Sequence, residues 1–257
     1  MLIEAGLFGK IDRVKESVQF LKDLEPPDGY WLAFSGGKDS LTIYELAKMA
    51  GVKFEAHYNF TTIDPPELVQ FIRDNYPDVK IDHPKKSFFK LVEEKGYPTR
   101  QGRWCCSELK ERSGDGRKVV TGIRKQESVK RSKRKAVEFC YKRKSTIYIN
   151  PIIDWLESDV WDFIRMRRMR YCSLYDQGWT RIGCLFCPMA GKERRLYEAQ
   201  KYPKYVRAFI RAFDRRLIVA QDRKLGVANR FTTGQDMWDF WINERPQENI
   251  DQTVMFE

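Results

Sequence analysis

The sequence predicts an α/β fold, a doubly wound and mostly parallel sheet with a C-terminal helical extension. Short apolar segments that fit strands alternate with segments whose apolar residues recur at helical spacing, which is typical of parallel sheets covered by helices. A glycine pair, Gly36 and Gly37, separates the first of these strands from the next helix. From residue 192 onward the pattern is helical. We therefore expect one domain over residues 1–190 and a helical extension packed on it over residues 191–257.

The order of the elements follows from apolar spacing and from proline and glycine breaks. A leading helix ends before the adjacent Pro26 and Pro27, and a later helix carries proline in its first turn. The predicted strands cover residues 31–34, 52–59, 79–81, 118–122 and 146–149. The predicted helices cover residues 10–24, 41–49, 65–76 and 157–169. Such sheets bind ligands beyond the carboxyl ends of their strands, so the glycine pair marks the expected site.

Composition places the chain among globular proteins. Its 257 residues include 42% hydrophobic residues, which is enough for a buried core, and no segment approaches the ~20 apolar residues that span a bilayer. The first residues lack the basic and then apolar profile of a secretory signal, so we expect a cytoplasmic protein with no membrane partner. A net charge of +11 favours a polyanionic partner or a phosphorylated substrate. Six cysteines in such a chain indicate metal or redox chemistry more than structural disulfides.

The six residues after the first strand have the composition of a phosphate-binding loop. Two adjacent glycines allow a tight turn that points backbone N–H groups at an anion, and the following helix adds the positive end of its dipole. A lysine supplies a cation, and two serines supply hydroxyl donors. The residues of the loop are Ser35, Gly36, Gly37, Lys38, Asp39 and Ser40. The alternative is an ordinary turn between a strand and a helix, with incidental glycines.

The spacing of this loop differs from the Walker pattern, which needs four residues between its glycines before the lysine. The loop instead resembles the pyrophosphate-binding PP-loop of the adenine-nucleotide alpha hydrolase family. That resemblance implies a doubly wound α/β sheet whose loop grips pyrophosphate while an adenylate is made or held.

Four of the six cysteines form two pairs that are separated by 77 residues. The pairs are Cys105 with Cys106, and Cys184 with Cys187. Four thiolates can hold a tetrahedral zinc ion or a 4Fe-4S cluster. Zinc ribbons usually use two Cys-x-x-Cys knuckles, whereas a cubane cluster offers separate iron corners that adjacent cysteines can reach. The spacing therefore favours a 4Fe-4S cluster over zinc or unligated thiols, and Cys140 and Cys172 have no assigned role.

The two cysteine pairs resemble those of the iron-sulfur sulfonucleotide reductases, the adenylyl-sulfate branch of the phosphoadenylyl-sulfate reductase family. Three further segments agree with that family, within a match over roughly residues 30–190. These segments cover residues 121–128, 150–155 with 159–161, and 174–178. The resemblance implies that an arginine loop holds the phosphates of the nucleotide. The residues that match this role are Gly122, Arg124, Lys130 and Arg131.

Two departures from those reductases bear on function. The reductases carry a catalytic cysteine in a C-terminal tail, whereas the last cysteine of this sequence is Cys187. Their PP-loops tend to be degenerate, whereas residues 35–40 look like the loop of ATP pyrophosphatases, which include enzymes that thiolate tRNA and the ATP-using protein of DNA phosphorothioation. This second resemblance implies ATP with Mg²⁺, adenylation of a target oxygen with release of pyrophosphate, and replacement of AMP by sulfur.

The leading hypothesis is therefore ATP-dependent sulfur transfer to a nucleic acid such as tRNA or DNA. Lys38 would stabilise the charge on the leaving pyrophosphate, and Asp39 would either hold Mg²⁺ or cap the following helix. The first alternative is an adenylyl-sulfate or phosphoadenylyl-sulfate (APS or PAPS) reductase that releases sulfite with a thiol from a partner. The second is a non-catalytic nucleic-acid-binding protein. A sulfur-donor or thiol-reductant protein is the expected protein partner.

The remaining predictions concern surfaces. Residues 117–144 contain twelve Lys or Arg and two acids, a density that favours a nucleic-acid backbone as the partner. The alternative is a solvated basic surface. Residues 192–225 predict amphipathic helices that pack on the sheet or on a second subunit, which leaves a homodimer open. His57 and His83 are expected to be structural.

Overall fold

The computed structural model describes residues 2–6, 9–111, 113–140 and 145–243. The chain divides into two compact units. The sheet unit comprises Met1–Phe60, Asp64–His83 and Arg112–Gly183. The helical unit comprises Thr61–Ile63, Pro84–Glu111 and Cys184–Glu257. The predicted domain boundary at residue 190 stays a prediction.

The sheet unit contains a two-stranded hairpin and a six-stranded sheet. The hairpin is formed by β1 (Ile3–Gly6) and β2 (Gly9–Asp12). The sheet consists of β3 (Tyr30–Ala33), β4 (Phe54–Asn59), β5 (Lys80–Asp82), β6 (Lys118–Val120), β7 (Val137–Phe139) and β8 (Ile147–Ile149). Its strand order is β5-β4-β3-β6-β8-β7, and all neighbours are parallel except β7 and β8. The predicted α/β fold with a mostly parallel sheet is therefore confirmed.

The central strand is β3, because the chain winds outward from it in both directions. β4 and β5 lie on one side, and β6 and β8 lie on the other. Tyr30, Trp31 and Leu32 of β3 are all buried, which is typical of a strand in the middle of a parallel sheet. The winding direction reverses between β3 and β6. Sheets of this kind bind ligands at the carboxyl ends of the strands that flank such a reversal.

The helices are numbered in chain order. They are α1 (Arg13–Asp23), α2 (Lys38–Ala50), α3 (Pro66–Asn75), α4 (Phe88–Lys95), α5 (Trp104–Leu109), α6 (Val129–Ser132), α7 (Glu157–Met166), α8 (Lys192–Lys201), α9 (Pro203–Asp222) and α10 (Gly234–Asn243). The helical unit contains α4, α5 and α8 to α10. None of the helices in the described part of the chain combines the length and the apolar character that a membrane span requires.

Two helix starts differ from the sequence prediction. Helix α1 begins after Asp12, because the Asp12 carboxylate accepts hydrogen bonds from the backbone N–H groups of Val14 and Lys15 at 3.1 Å. The residues predicted as its first turn belong to β2 instead. Helix α2 begins at Lys38, so the second half of the predicted loop is helical. The sequence pattern indicates neither the hairpin nor β7.

Aromatic side chains form the core of the helical unit. The ring of Phe209 on α9 lies 5.1–5.3 Å from the rings of Phe88, Phe186 and Trp241, measured between centroids. All four side chains are buried. Edge and stacked contacts of this kind add to the area that the rings bury.

The C-terminal part of the chain packs through a close approach of α9 and α10. A Cβ added to Gly234 would overlap the backbone oxygen of Ile210, so this position requires glycine. The predicted helical extension is confirmed over residues 192–243, and its remainder, residues 244–257, lies outside the described residues.

Candidate functional site

A glycine turn follows the central strand β3 directly. Gly36 has a φ of +69°, a conformation that favours glycine. A Cβ at Gly36 would lie 2.7 Å from Leu68 and 2.8 Å from Ile72 of α3, so the turn packs against α3 with no room for a side chain. Gly37 is the N-cap of α2 and makes no side-chain capping bond. The turn therefore offers backbone N–H donors and the positive end of a helix to an anion.

Two serines hold this turn together. The backbone N–H of Ser35 donates to Oγ of Ser40 at 3.1 Å, and the Ser40 hydroxyl donates to the carbonyl of Gly37 at 2.9 Å. The two hydroxyl oxygens are 3.2 Å apart. These bonds fix the shape of the turn, and the contact of the serines with phosphate stays a prediction.

Lys38 is almost completely buried, with 4% of its surface exposed. Its Nζ donates to the carbonyl of Thr180 at 2.8 Å and lies 3.2 Å from Oε1 of Glu157. The backbone N–H of Lys38 donates to the hydroxyl of Tyr175 at 2.9 Å, and Nζ lies 5.6 Å from the centroid of the same ring. A buried ammonium requires such partners, because an unpaired charge is costly to bury. The lysine thus brings a fixed cation to the first turn of α2.

No signal in the sequence assigns Glu157, Tyr175 or Thr180 to this loop. Glu157 is the first residue of α7, and the other two follow Lys38 by 137 and 142 residues. Tyr175 does belong to a segment that resembles the family, and that resemblance is the signal that could have drawn attention to it. Burial raises the pKa of Tyr175 above its ordinary range, so its hydroxyl is neutral.

Asp39 and Arg124 form an ion pair beside the turn. Oδ1 of Asp39 accepts from Nε of Arg124 at 2.7 Å, and Arg124 is 3% exposed. Gly122 permits this approach, because a Cβ there would lie 2.9 Å from the backbone of Asp39. Asp39 is the second residue of α2, and the helix is capped at Gly37. The alternative that Asp39 caps this helix is therefore wrong, because the cap is Gly37. The proposed binding of Mg²⁺ by Asp39 stays a prediction.

The other two residues assigned to the phosphates lie on α6. Arg131 forms an ion pair with Glu127, and Lys130 is exposed. Among the described residues, no hydrogen bond or ion pair joins either side chain to the glycine turn. The structure thus brings Gly122 and Arg124 to the loop, and it places Lys130 and Arg131 away from these contacts.

The four paired cysteines line one cavity in the helical unit, and most of the other lining residues are apolar. The four are Cys105, Cys106, Cys184 and Cys187. All are free thiols, and Sγ of Cys184 donates to Oγ1 of Thr61 at 3.4 Å. Four thiols are the number and type of ligands that a 4Fe-4S cluster or a tetrahedral zinc ion takes. In the described ranges no three His, Cys, Asp or Glu side chains form a group that could hold a metal ion, and the cluster stays a prediction.

The adjacent cysteines differ in acidity. A hydrogen bond with the Cys105 thiol lowers the pKa of Cys106 to about 6, although burial acts in the opposite direction. The same hydrogen bond, together with burial, raises the pKa of Cys105 above its ordinary range. The contact between the two thiols therefore favours a thiolate on one member of the pair, the form that binds metals.

A buried carboxylate fixes the turn between Cys184 and Cys187. Glu198 of α8 is fully buried, and its Oε2 accepts from the backbone N–H of Phe186 at 2.6 Å. Its Oε1 accepts from Nε of Arg194 at 2.8 Å. Phe186 has a φ of +54°, which is unfavourable for a bulky residue. The hydrogen bond that Glu198 accepts from Phe186 stabilises this conformation and so fixes the positions of Cys184 and Cys187.

Glu198→Ala is expected to lower the free energy of unfolding by about 2–4 kcal/mol, because it leaves a buried N–H without an acceptor and a guanidinium without its carboxylate. Urea denaturation measures the change. Glu193→Ala, at an exposed position of the same helix, is the matched control and is expected to change stability by less than about 0.5 kcal/mol. Equal stability of the two variants would contradict this role for Glu198.

The histidines and Cys172 are placed as structural residues. The His57 ring stacks on Trp31 at 4.8 Å between centroids, and its Nδ1 lies 2.9 Å from Asp82. The His83 ring packs on Phe60 at 5.5 Å. Cys172 is fully buried. The ring contacts are compatible with the structural roles expected of the two histidines, and those roles stay predictions.

Comparisons with known proteins agree with this fold. The family model described as "Phosphoadenosine phosphosulfate reductase domain" matches residues 29–190. An uncharacterized protein of Methanocaldococcus jannaschii is 34% identical over 187 residues, which are 67% of this chain and 44% of the relative. An adenosine 5'-phosphosulfate reductase of Oceanobacillus iheyensis is 31% identical over 133 residues, which are 47% of this chain and 54% of the relative. The chain thus spans about half the length of these two relatives.

A solved structure, the phosphate complex of phosphoadenylyl-sulfate (PAPS) reductase from Candida auris, has the same fold. The TM-score is 0.52 at 18% identity, and the match covers 66% of this chain and 88% of that chain. The family model covers more than half of the chain, and its range includes the glycine turn, the Asp39–Arg124 pair and all four paired cysteines. The chain therefore belongs to the family of the phosphoadenosine phosphosulfate reductase domain.

Proposed function

We propose that the protein binds ATP at the glycine turn and uses it for sulfur transfer to a nucleic acid such as tRNA or DNA. The observation that supports this most strongly is the placement of Lys38. Its ammonium is buried on the first turn of α2, beside a glycine turn at the carboxyl end of the central strand. A fixed cation beside a helix N-terminus is suited to a pyrophosphate group.

The proposed reaction has two steps. In the first, an oxygen of the acceptor attacks the α-phosphorus of ATP, and the bond to the β-phosphate breaks. Lys38 and the N–H groups at the start of α2 stabilise the charge that grows on the leaving pyrophosphate. Arg124 adds a second buried cation, and Asp39 supplies a carboxylate for Mg²⁺. In the second step, hydrosulfide supplied by a donor protein attacks the carbon or phosphorus that bears the adenylated oxygen. The bond to that oxygen breaks, and AMP leaves with it.

The surface around α6 and β7 is the proposed binding surface for the nucleic acid. Lys130, Lys133 and Lys135 are exposed on it. Val129 and Phe139 are 82% and 73% exposed, which is unusual for large apolar side chains. Cations that contact phosphates and an exposed ring on which a base stacks are the two components of surfaces that bind single-stranded nucleic acid.

Reversal of the three lysine charges, K130E with K133E and K135E, is expected to weaken binding of tRNA or single-stranded DNA. The slope of log K against log salt should fall by about 2–3, because about 0.7–0.9 counterions are released for each phosphate contact. A titration of fluorescent oligonucleotide at several salt concentrations measures both quantities.

The matched control reverses three other exposed lysines, K15E with K22E and K53E, and so changes the net charge equally. We expect this control to keep the wild-type slope. Equal weakening in both triple variants would show that net charge alone drives the binding and would contradict the proposed surface.

We also propose that the four cysteines around the cavity of the helical unit hold a 4Fe-4S cluster. The support is the donor set, since four thiols line one largely apolar cavity. A bound cluster of this kind supplies either a soft site for sulfide or a rigid brace for the protein. The role of the chain in either case is to present the thiolates, and Glu198 fixes the turn that carries two of them.

The second candidate function is that of an APS or PAPS reductase. It is favoured by the Oceanobacillus iheyensis relative, which is named as an adenosine 5'-phosphosulfate reductase. In such a reaction a thiolate from a partner protein attacks the sulfur of the sulfonucleotide. The leaving group is AMP when the substrate is APS and adenosine 3',5'-bisphosphate when it is PAPS. A second thiol then attacks the thiol sulfur of the S-sulfonated partner, forms a disulfide and releases sulfite. The glycine turn would hold the phosphate of the nucleotide in this case.

Two assays on anaerobically purified protein separate these functions. The first measures exchange of labelled pyrophosphate into ATP with tRNA and single-stranded DNA present, and we expect exchange above the protein-free background. The second measures sulfite released from APS or PAPS with a thiol donor. Sulfite release without exchange would overturn the proposed function in favour of the reductase. If the protein binds nucleic acid but shows neither activity, the third hypothesis, a non-catalytic nucleic-acid-binding protein, is the one that agrees with the result.

A further inference from the structure

We propose that Tyr175 and Glu157 set the affinity of the phosphate site, because each occupies a donor that a bound phosphate needs. This inference rests on the proposed binding of a nucleotide phosphate at the glycine turn. Neither residue belongs to the loop or to the arginine segment. Both contact Lys38 from elsewhere in the sheet unit.

The hydroxyl of Tyr175 accepts the hydrogen bond of the first N–H of α2. The distance from the backbone nitrogen of Lys38 to this hydroxyl is 2.9 Å. A Cβ added to Gly37 would lie 3.4 Å from the same oxygen, so the hydroxyl sits against the glycine turn itself. The N–H groups at a helix start are the donors that bind anions. A phosphate oxygen that uses this N–H therefore has to replace the hydroxyl of Tyr175.

The carboxylate of Glu157 competes with phosphate for the ammonium of Lys38, which has three N–H donors and gives one of them to the carbonyl of Thr180. Its Oε1 lies 3.2 Å from Nζ of Lys38, where the negative charge of a phosphate would be repelled. The Glu157 side chain is 48% exposed, so it can turn into solvent, where water replaces its contact with Lys38. Its backbone is held in place, because the N–H of Glu157 donates to Oε1 of Gln126 at 2.6 Å. Phosphate binding thus requires the side chain, and not the helix, to move.

The same Gln126 oxygen accepts from Nη1 of Arg124 at 3.1 Å. Arg124 in turn holds Asp39, the neighbour of Lys38. Polar contacts therefore join the start of α7 to the start of α2 through the arginine loop. Within this frame the hydroxyl of Tyr175 and the carboxylate of Glu157 are the groups that exchange with phosphate.

Tyr175→Phe and Glu157→Gln are each expected to bind pyrophosphate about three- to tenfold more tightly than the wild type. Each change removes a competitor worth about one hydrogen bond while it leaves the donors of Lys38 in place. Calorimetric titration of the anaerobically purified protein with pyrophosphate and Mg²⁺ measures the affinities. Tyr171→Phe and Asp162→Asn are the matched controls, since Tyr171 bonds Asp176 and Asp162 pairs with Arg165 on the surface.

A second readout follows from the neighbours of Tyr175. Its ring packs edge-to-face on Trp161 at 5.0 Å between centroids. Displacement of Tyr175 by pyrophosphate should therefore change the fluorescence of Trp161. We expect the change in the wild type and its loss in Trp161→Phe, which assigns the signal.

The outcomes separate this inference from the proposed function. If the wild type binds pyrophosphate clearly but Tyr175→Phe and Glu157→Gln bind it no more tightly, the inference alone is overturned. Equal affinity would mean that the two groups do not affect binding, and weaker binding would mean that they contact the ligand. A lack of binding of pyrophosphate, ATP and sulfonucleotides by all variants would overturn the proposed function and the inference with it. Tighter binding in both variants and wild-type binding in both controls would support the inference.

Discussion

Lys38→Ala is expected to weaken the binding of Mg-ATP by about 10- to 100-fold. The Lys38 ammonium is 4% exposed and donates to the carbonyl of Thr180 at 2.8 Å, so little of its side chain has to be ordered when the nucleotide binds. A hydrogen bond between charged groups contributes about 1.5–3 kcal/mol, and each 1.4 kcal/mol is a tenfold change in affinity. Calorimetry with Mg-ATP measures the difference.

The control for this variant lies on the same helix. Lys48 is exposed in the last turn of α2, where its Nζ lies 5.5 Å from the centroid of the Tyr44 ring. Lys48→Ala is expected to bind Mg-ATP as the wild type does. If Lys38→Ala and Lys48→Ala bound it equally well, the nucleotide would lie somewhere other than the glycine turn.

Gly36→Ala is expected to lower the free energy of unfolding by about 2–4 kcal/mol, since it combines backbone strain with overpacking. The φ of +69° disfavours alanine. The new Cβ would lie 2.7 Å and 2.8 Å from side-chain carbons of Leu68 and Ile72, so α3 would have to shift. Urea denaturation followed by circular dichroism measures the loss.

Gly37→Ala is the matched variant at the next position. Its φ of −82° suits alanine, and the nearest atoms to the new Cβ lie at 3.4 Å and 3.5 Å. We expect a stability loss below about 1 kcal/mol, which is the scale of an altered helix cap. A loss in Gly36→Ala no larger than in Gly37→Ala would contradict the packing of the turn described here.

The local parts of the site could be predicted from the sequence because their signals are local. The glycine pair, Lys38 and the two cysteine pairs each carry a spacing that is typical of their chemistry. The alternation of strands and helices likewise predicts the parallel sheet, and the proline in the first turn of α3 marks a helix start. These features depend on neighbours within a few residues.

The contacts that complete the loop could not be predicted, because they join residues far apart in the chain. Tyr175 and Glu157 reach Lys38 only through the folded sheet unit. The sequence does not indicate the ion-pair partner of Asp39 either. In the structure this partner is Arg124, which lies 85 residues away in the chain. The start of α1 depends on capping by Asp12, which apolar spacing alone does not reveal.

In the cysteine site, too, the local pattern could be predicted from the sequence and the long-range contacts could not. The spacing of the four cysteines predicts a shared site, and all four line one cavity. The buried carboxylate of Glu198 and the positive φ of Phe186 have no counterpart in any motif, since a residue eleven positions after Cys187 acts on the turn from α8. The sequence pattern thus indicates which cysteines lie together, and packing supplies the residue that holds two of them in position.

Calorimetry that compares Mg-ATP, adenylyl sulfate and its 3'-phosphorylated form on anaerobically purified protein tests the proposed use of ATP most directly. We predict that Mg-ATP binds most tightly and that Lys38→Ala loses this binding. Selective binding of either sulfonucleotide, with weak or no binding of Mg-ATP, would contradict the account and would identify the protein as a sulfonucleotide-binding member of its family.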